Sequence, residues 1–148
     1  MKKQLSRALL SFVAVLVLAA SAFAQTAGTV HIQVPFDFVV GQKQMPAGRY
    51  TVRRVHFSSE STLIIQGENK RDAAVVLTNT GDAKPAKAWL GFRQYGDSYF
   101  LTEVSMPGTA SVRELPKTGG ERRAERHLIE QATTRGGSKK VTIIGSLR

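Results

Sequence analysis

The chain has no cysteine. Thiol nucleophiles, thiol redox chemistry and thiolate metal sites are therefore excluded, and stability must come from a core rather than disulfides. His31, His56 and His127 are its three histidines. None shows metal-ligand spacing, and no His-Glu-x-x-His stretch exists. No Gly-x-Ser-x-Gly elbow supports a Ser-His-Asp triad. No glycine-rich phosphate loop precedes a helix, so no cofactor is implied. No apolar run reaches the roughly twenty residues that a membrane-crossing helix needs. Acids are scarce too: 11 Asp and Glu stand against 21 Lys and Arg, a net charge of +10.

What is present begins with a leader. Lys2, Lys3 and Arg7 precede an apolar run over residues 8–20, broken only by Ser11. Ala22-Phe23-Ala24 then fits the small-x-small rule for signal peptidase. Residues 1–24 are expected to be a cleaved signal peptide. Gln25 would begin the mature chain, which would be periplasmic or extracellular and without a transmembrane span. Residues 25–112 hold nine Lys/Arg and seven acids, a balance of +2. Residues 113–148 hold nine Lys/Arg and four acids, a balance of +5. A basic surface attracts polyanions and is screened by salt. Outside the cytoplasm nucleic acid is not the expected partner. Anionic polysaccharide, lipopolysaccharide or anionic lipid head groups are, or another envelope protein.

Residues 35–52, PFDFVVGQKQMPAGRYTV, organise the rest. Phe36, Phe38 and Val40 alternate with Asp37 and Val39, which places them on one face of a strand. Pro46-Ala47-Gly48 carries turn chemistry, and Tyr50 and Val52 read as a returning strand. A hairpin of these two strands would bury Phe36, Phe38, Val40, Tyr50 and Val52 together, at about 1.5–3 kcal/mol per large side chain. It would also present Lys43 and Arg49. The pattern Pro35-Phe36-x-Phe38-x-Val40-Gly41, four residues, then Pro46-Ala47-Gly48-x-Tyr50-x-Val52 resembles one found in small exported proteins of acidobacteria-type soil bacteria. Residues 95–101 (Tyr-Gly-Asp-Ser-Tyr-Phe-Leu) and 113–116 (Arg-Glu-Leu-Pro) are similar to that group as well. The resemblance covers most of residues 30–116. It implies a β-rich domain and assigns no activity or site residue.

The remaining periodicity agrees with a β domain. Val30, Ile32 and Val34 alternate inward with His31 and Gln33 outward, and Pro35 breaks the strand. The strand from Arg49 changes its apolar side after Val52, which predicts a bulge or twist. Residues 62–66 and 73–78 read as strands around a polar loop at 67–72. Their unbroken apolar runs suggest central strands covered on both faces. Residues 88–94 and 99–105 read as a hairpin, and residues 110–115 as a short last strand. Turn signals recur about every ten residues, as in a small antiparallel sandwich or barrel. After Pro116 the pattern becomes helical, with Thr118 spaced as an N-cap before Glu121. Residues 141–144 read either as an edge strand or as a loose tail. The organisation expected is a leader over 1–24, a β domain over 25–116, and a basic helix and tail over 117–148.

Candidate chemistry is thin. His31 and Asp37 would meet across strands, but an exposed strand histidine is the commoner situation. Asp37, Asp97 and Glu103 are glycosidase carboxylates by type only, and Asp97 sits where a turn favours Asp. Trp89, Tyr95 and Tyr99 surround one hairpin and would stack on a sugar if exposed together, although strand aromatics more often fill a core. Arg122, Arg123, Arg126, Lys139 and Lys140 form the densest basic group, the candidate polyanion contact. The reading that follows is a non-catalytic binding or structural module of the cell envelope, not an enzyme. The alternatives are a small secreted hydrolase and a subunit of an envelope assembly.

Overall fold

The structure is a computed structural model that describes residues 28–56, 58–82, 87–131 and 138–147. The expected leader lies outside the described residues. Twelve strands and one helix are present among those described. Strands β1 (Val30–Val34), β4 (Gly48–His56), β5 (Ser59–Gly67), β6 (Ala73–Leu77) and β12 (Ser146–Leu147) form a first sheet in the order β12-β1-β4-β5-β6. The second sheet runs β11 (Lys139–Ile144), β8 (Trp89–Tyr95), β9 (Ser98–Ser105), β10 (Arg113–Glu114), β7 (Asn79–Thr80). It also holds β2 (Phe38–Val40) and β3 (Lys43–Met45), with β2 parallel to β9 through Val39 and Phe100. The sheets do not close into a barrel.

The two sheets share one core. Val30, Ile32, Val34, Tyr50, Val52, Leu63 and Ile65 from the first sheet meet Phe38, Val40, Met45, Leu90, Phe92, Leu101 and Val104 from the second. Phe38 is the pivot, edge-to-face on Tyr50 at 5.0 Å and on Phe92 at 5.3 Å. Such ring pairs add about 0.5–1.5 kcal/mol beyond their buried area. Phe38, Val40, Tyr50 and Val52 are thus buried together as expected, and Phe36 is partly buried beside them.

The pairing of the organising stretch differs from the expected hairpin. Residues 38–40 pair with β3, which lies in the segment expected as a loop, and β4 belongs to the other sheet between β1 and β5. Two prolines explain this. Pro35 ends β1 and sends the chain across to the second sheet; Pro46 ends β3 and sends it back. Gly41 has φ 64°, which the tight turn between β2 and β3 requires. The return is fastened where Asp37 Oδ1 accepts the Ala47 N–H at 2.7 Å and the Tyr50 hydroxyl donates to the Pro46 carbonyl at 2.5 Å. Burial, with the nearby charges of Asp72 and Asp37, pushes the Tyr50 phenol up to about 12.

The predicted bulge in β4 is a register shift between Arg54 and His56. The β5–β6 and β8–β9 hairpins form as expected. The expectation that 62–66 and 73–78 are covered on both faces is corrected: β6 is an edge strand, and Val75 and Leu77 are 65% and 70% exposed. The short strand expected over 110–115 shrinks to β10. Its Arg113 is buried and donates to the Thr78 hydroxyl, the Thr80 hydroxyl and the Thr78 carbonyl.

Helix α1 (Gly119–Gln131) starts at the expected cap, where the Thr118 hydroxyl accepts the Glu121 N–H at 3.1 Å. The Glu121 carboxylate then turns into the second sheet, not back to the cap. It is buried, 3.2 Å from the Tyr95 hydroxyl and 3.5 Å from Arg93. Burial works against the charge on Arg93, but Tyr95, Glu121 and Glu125 outweigh it and its pKa is raised. Residues 141–144 take the strand alternative: β11 pairs with β8 along its whole length. The chain then crosses at Gly145 so that β12 pairs with β1 in the first sheet. One segment therefore ties the same edge of both sheets.

Candidate functional site

The outer face of the first sheet is a grid set by register. His31 on β1 stands opposite Thr51 on β4, and Thr51 opposite Gln66 on β5. One row along, Gln33 stands opposite Arg49. The Glu68 N–H bonds to the Arg49 carbonyl at 3.1 Å, which continues that row into the β5–β6 loop. Alternation along each strand puts all these side chains on the face away from the core. They line a groove of about 630 Å³ together with Lys70. A smaller hollow of about 370 Å³ shares Arg49 and Glu68 and adds Asn69 and Asp72.

The loop at one end of the groove is tightly built. Asn69 Oδ1 accepts the N–H groups of Arg71 and Asp72, and its amide donates to Asp72 Oδ2 at 2.6 Å. Gly67 and Asp72 close the loop with an N–H to carbonyl bond at 2.6 Å. These bonds hold Lys70 at φ 59°, the sole non-glycine residue with positive φ among those described. Left-handed backbone costs a lysine about 1–2 kcal/mol. Strain of this kind concentrates where a side chain must be aimed. Arg49 and Glu68 pair at 3.5 Å, both well exposed, so the pair contributes little stability. The His31 ring nitrogen lies 3.5 Å from the Thr51 hydroxyl. Two cations, Arg49 and Lys70, thus line the groove with one carboxylate, Glu68. The surface presents amide, hydroxyl and cationic hydrogen-bond donors beside the Glu68 carboxylate.

The residues nominated by sequence are distributed differently. Arg122, Arg123 and Arg126 are exposed on α1, and Arg122 is spent on the Lys117 carbonyl at 2.8 Å. Lys117 itself is held by Glu125 at 2.7 Å, a bond that raises its pKa. Lys139 is exposed at the start of β11; Lys140 bonds to Glu103 at 2.7 Å and lies 5.8 Å from the Trp89 ring centre. The three aromatics do not gather. Trp89 is half-buried on the outer face of the second sheet, its ring lying over Gly91. Tyr95 is buried under α1, and Tyr99 stacks on Phe36 at 3.9 Å. Asp37 is committed to Ala47 and His31 faces Thr51, so those two do not meet. Asp97 is exposed in its turn; His56 is exposed on β4; His127 lies 3.7 Å from Glu130. Lys43 donates to the Arg71 and Ala73 carbonyls. Among the described residues no three His, Asp or Glu side chains could hold a metal, and no helix is long and apolar enough to cross a membrane.

Sequence reasoning met the groove residues one at a time. Each reads as an ordinary exposed strand position, and only the pairing of β1, β4 and β5 assembles them. The usable signal was the outward alternation of His31, Gln33, Arg49 and Thr51. No family model matches the chain, and no curated protein or solved structure matches it either.

Proposed function

We propose that the chain is an exported, non-catalytic binding module of the cell envelope. Its ligand is an anionic envelope component, with acidic polysaccharide as the leading class. The contact is made in the groove on the outer face of the first sheet, where Arg49 and Lys70 receive the anionic group and His31, Gln33, Thr51 and Gln66 bond to neutral hydroxyls. Exposed Arg123, Arg126 and Lys139 add a longer-range positive field. The observation that carries this reading is Lys70, exposed and held in left-handed backbone at the rim of a polar groove. Kinship with the small exported proteins of soil bacteria named above, and export by the 1–24 leader, belong to the same proposal. A small hydrolase would need two converging carboxylates and a histidine. Here Glu68 faces Arg49 and Asp72 is bound to Asn69, so binding is the better supported reading.

The test is titration of the purified exported chain with heparin, and in parallel with anionic vesicles, across a salt series. Affinity for heparin should fall with salt. Arg49→Ala and Lys70→Gly should each weaken it about tenfold, more than Arg123→Ala with Arg126→Ala. If the helix pair carries the loss instead, the contact is the C-terminal segment. If the chain ignores both anions at low salt, the proposal is wrong.

A further inference from the structure

Among the described residues, β6 forms an open edge of the first sheet. Bonds from the Thr78 N–H to the Ser61 carbonyl and from the Gly67 N–H to the Asp72 carbonyl bracket the β5–β6 ladder. Antiparallel pairing alternates, so Ala74 and Val76 spend their backbone groups on β5. The N–H and C=O groups of Val75 and Leu77 consequently point away from the sheet. Their side chains are 65% and 70% exposed, and Ile64, opposite Val75, is half-exposed beside them. Residues 73–81, AAVVLTNTG, carry no charge and no proline. Edges are ordinarily blunted with charge, proline or a bulge. The edge of β11 is treated that way, since it begins with Lys139 and Lys140.

We infer that β6 pairs antiparallel with β6 of a second copy of this chain, about a two-fold axis at Val76. Three features select this occupant and register. First, the edge is self-complementary: Val75 and Leu77 of one copy exchange N–H to carbonyl bonds with Leu77 and Val75 of the other, as an isologous contact demands. Second, Lys43 Nζ already occupies the Ala73 carbonyl at 3.0 Å and the Arg71 carbonyl at 3.2 Å. It blocks the first part of the edge and moves the axis from Val75 to Val76. Third, the flanking charges differ in sign. Lys43, Lys70 and Arg71 lie at the start of β6, where the Asp72 carboxylate is held by Asn69. Asp82 lies exposed beyond its end, while Glu60 on the neighbouring strand is already paired with Arg54 at 3.9 Å. Antiparallel pairing sets the basic end of one copy towards Asp82 of the other. On the outer face it joins Ile64, Val75 and Leu77 of the second copy into one apolar row, repeated by the axis. The two first sheets become one continuous sheet.

The experiment is sedimentation of the exported chain over rising concentration, with disulfide trapping beside it. The chain has no cysteine, so a disulfide reports only the residues introduced. Wild type should show a monomer–dimer equilibrium. Leu77→Lys, at a position already exposed, should raise the dimer dissociation constant at least about tenfold with an unchanged unfolding transition. The double variant Val75→Cys, Leu77→Cys should cross-link into a dimer on oxidation. Val75→Cys alone should not, because Val75 faces Leu77 of the second copy rather than itself. A chain that stays monomeric with the double variant uncrosslinked overturns the pairing and leaves the edge for a strand of another protein. A dimer that survives Leu77→Lys also overturns it, and cross-linking by Val75→Cys alone overturns the register.

Discussion

Gly145 is the residue through which the chain leaves the second sheet for the first, and Gly145→Ala tests that crossing. Its N–H bonds to the Ala88 carbonyl at 2.9 Å, which fixes its backbone on one side. On the other, an added Cβ would fall 2.8 Å from Ile32 Cδ1, 3.0 Å from the His31 carbonyl oxygen, and inside van der Waals contact with Ile32 Cγ1. Ile32 is 2% exposed and packed in the core, so it cannot step aside cheaply. The carbonyl is part of β1 and is equally immobile. Overpacking of this kind costs about 1–3 kcal/mol, and two immobile neighbours argue for the upper half. Urea unfolding of Gly145→Ala should therefore show a midpoint shift worth about 2–3 kcal/mol with an unchanged slope. The loss should be shared with Ile32. Ile32→Ala alone removes a buried side chain and costs about 2–5 kcal/mol, but it also removes both carbons that meet the new methyl. The double variant should then be more stable than the sum of the singles predicts, by about 1 kcal/mol or more. Strict additivity, or a Gly145→Ala cost below about 0.5 kcal/mol, would refute the close approach of β12 to β1.

Three further outcomes follow from the same structure. The Tyr50 phenol ionises at about 12 when folded, against 10.0 ordinarily. The unfolded chain loses that proton first, so stability present below pH 10 should fall by about 2 kcal/mol as pH rises to 12, and Tyr50→Phe should remove that part of the alkaline loss. Arg113→Ala should cost about 3 kcal/mol in urea unfolding, because it strands the Thr78 carbonyl and empties a buried site. Arg113→Met, which keeps the volume without the donors, should recover part of that. Glu121→Ala should leave the buried Tyr95 hydroxyl without its acceptor, at about 1–3 kcal/mol. Amide exchange should then accelerate along α1 while β8 and β9 stay protected; a uniform rise would mean that α1 is no separate unit of opening.

Alternation was the most legible property of the sequence. It placed β1, the β8–β9 hairpin and the inward set Phe38, Val40, Tyr50 and Val52, because a two-residue period is read from one strand at a time. Pairing was less legible. Residues 36–40 and 49–56 are adjacent in sequence and share a core, yet they lie in different sheets, because Pro35 and Pro46 each end a strand and redirect the chain. The run Ala73–Leu77 misled for another reason: an edge strand with an apolar outer face looks in sequence like a strand covered twice. Thr118 showed the helix start through its spacing from Glu121. The partner of the Glu121 carboxylate was invisible, since Tyr95 lies 26 residues away. The groove was the least legible of all, because it gathers residues from three strands and a loop and a backbone angle at Lys70 that no side-chain pattern encodes.

The polar groove and the apolar edge lie on one face and are products of one register. Along β5, Leu63 and Ile65 are buried while Thr62, Ile64 and Gln66 point outward, with Glu68 following in the loop. A slip of one residue would expose Leu63 and Ile65 and destroy core and groove together. The Asn69 bonds in the β5–β6 loop and the bulge at Arg54 in β4 resist that slip at the two ends of β5, one in each of its ladders. The outward residues are therefore free to change chemistry without cost to the core, and along β5 they do change, from Ile64 beside Val75 to Glu68 beside Arg49. That separation makes the two contacts experimentally independent. Leu77→Lys alters the edge at a position three rows from Arg49, and Arg49→Ala alters the groove without touching the backbone groups of Val75 and Leu77. Were both contacts to operate, edge pairing would place two grooves on one continuous face. A long acidic polymer spanning them would then bind the dimer more tightly than twice one groove allows. Leu77→Lys would in that case weaken the polymer but leave a short acidic oligosaccharide unaffected.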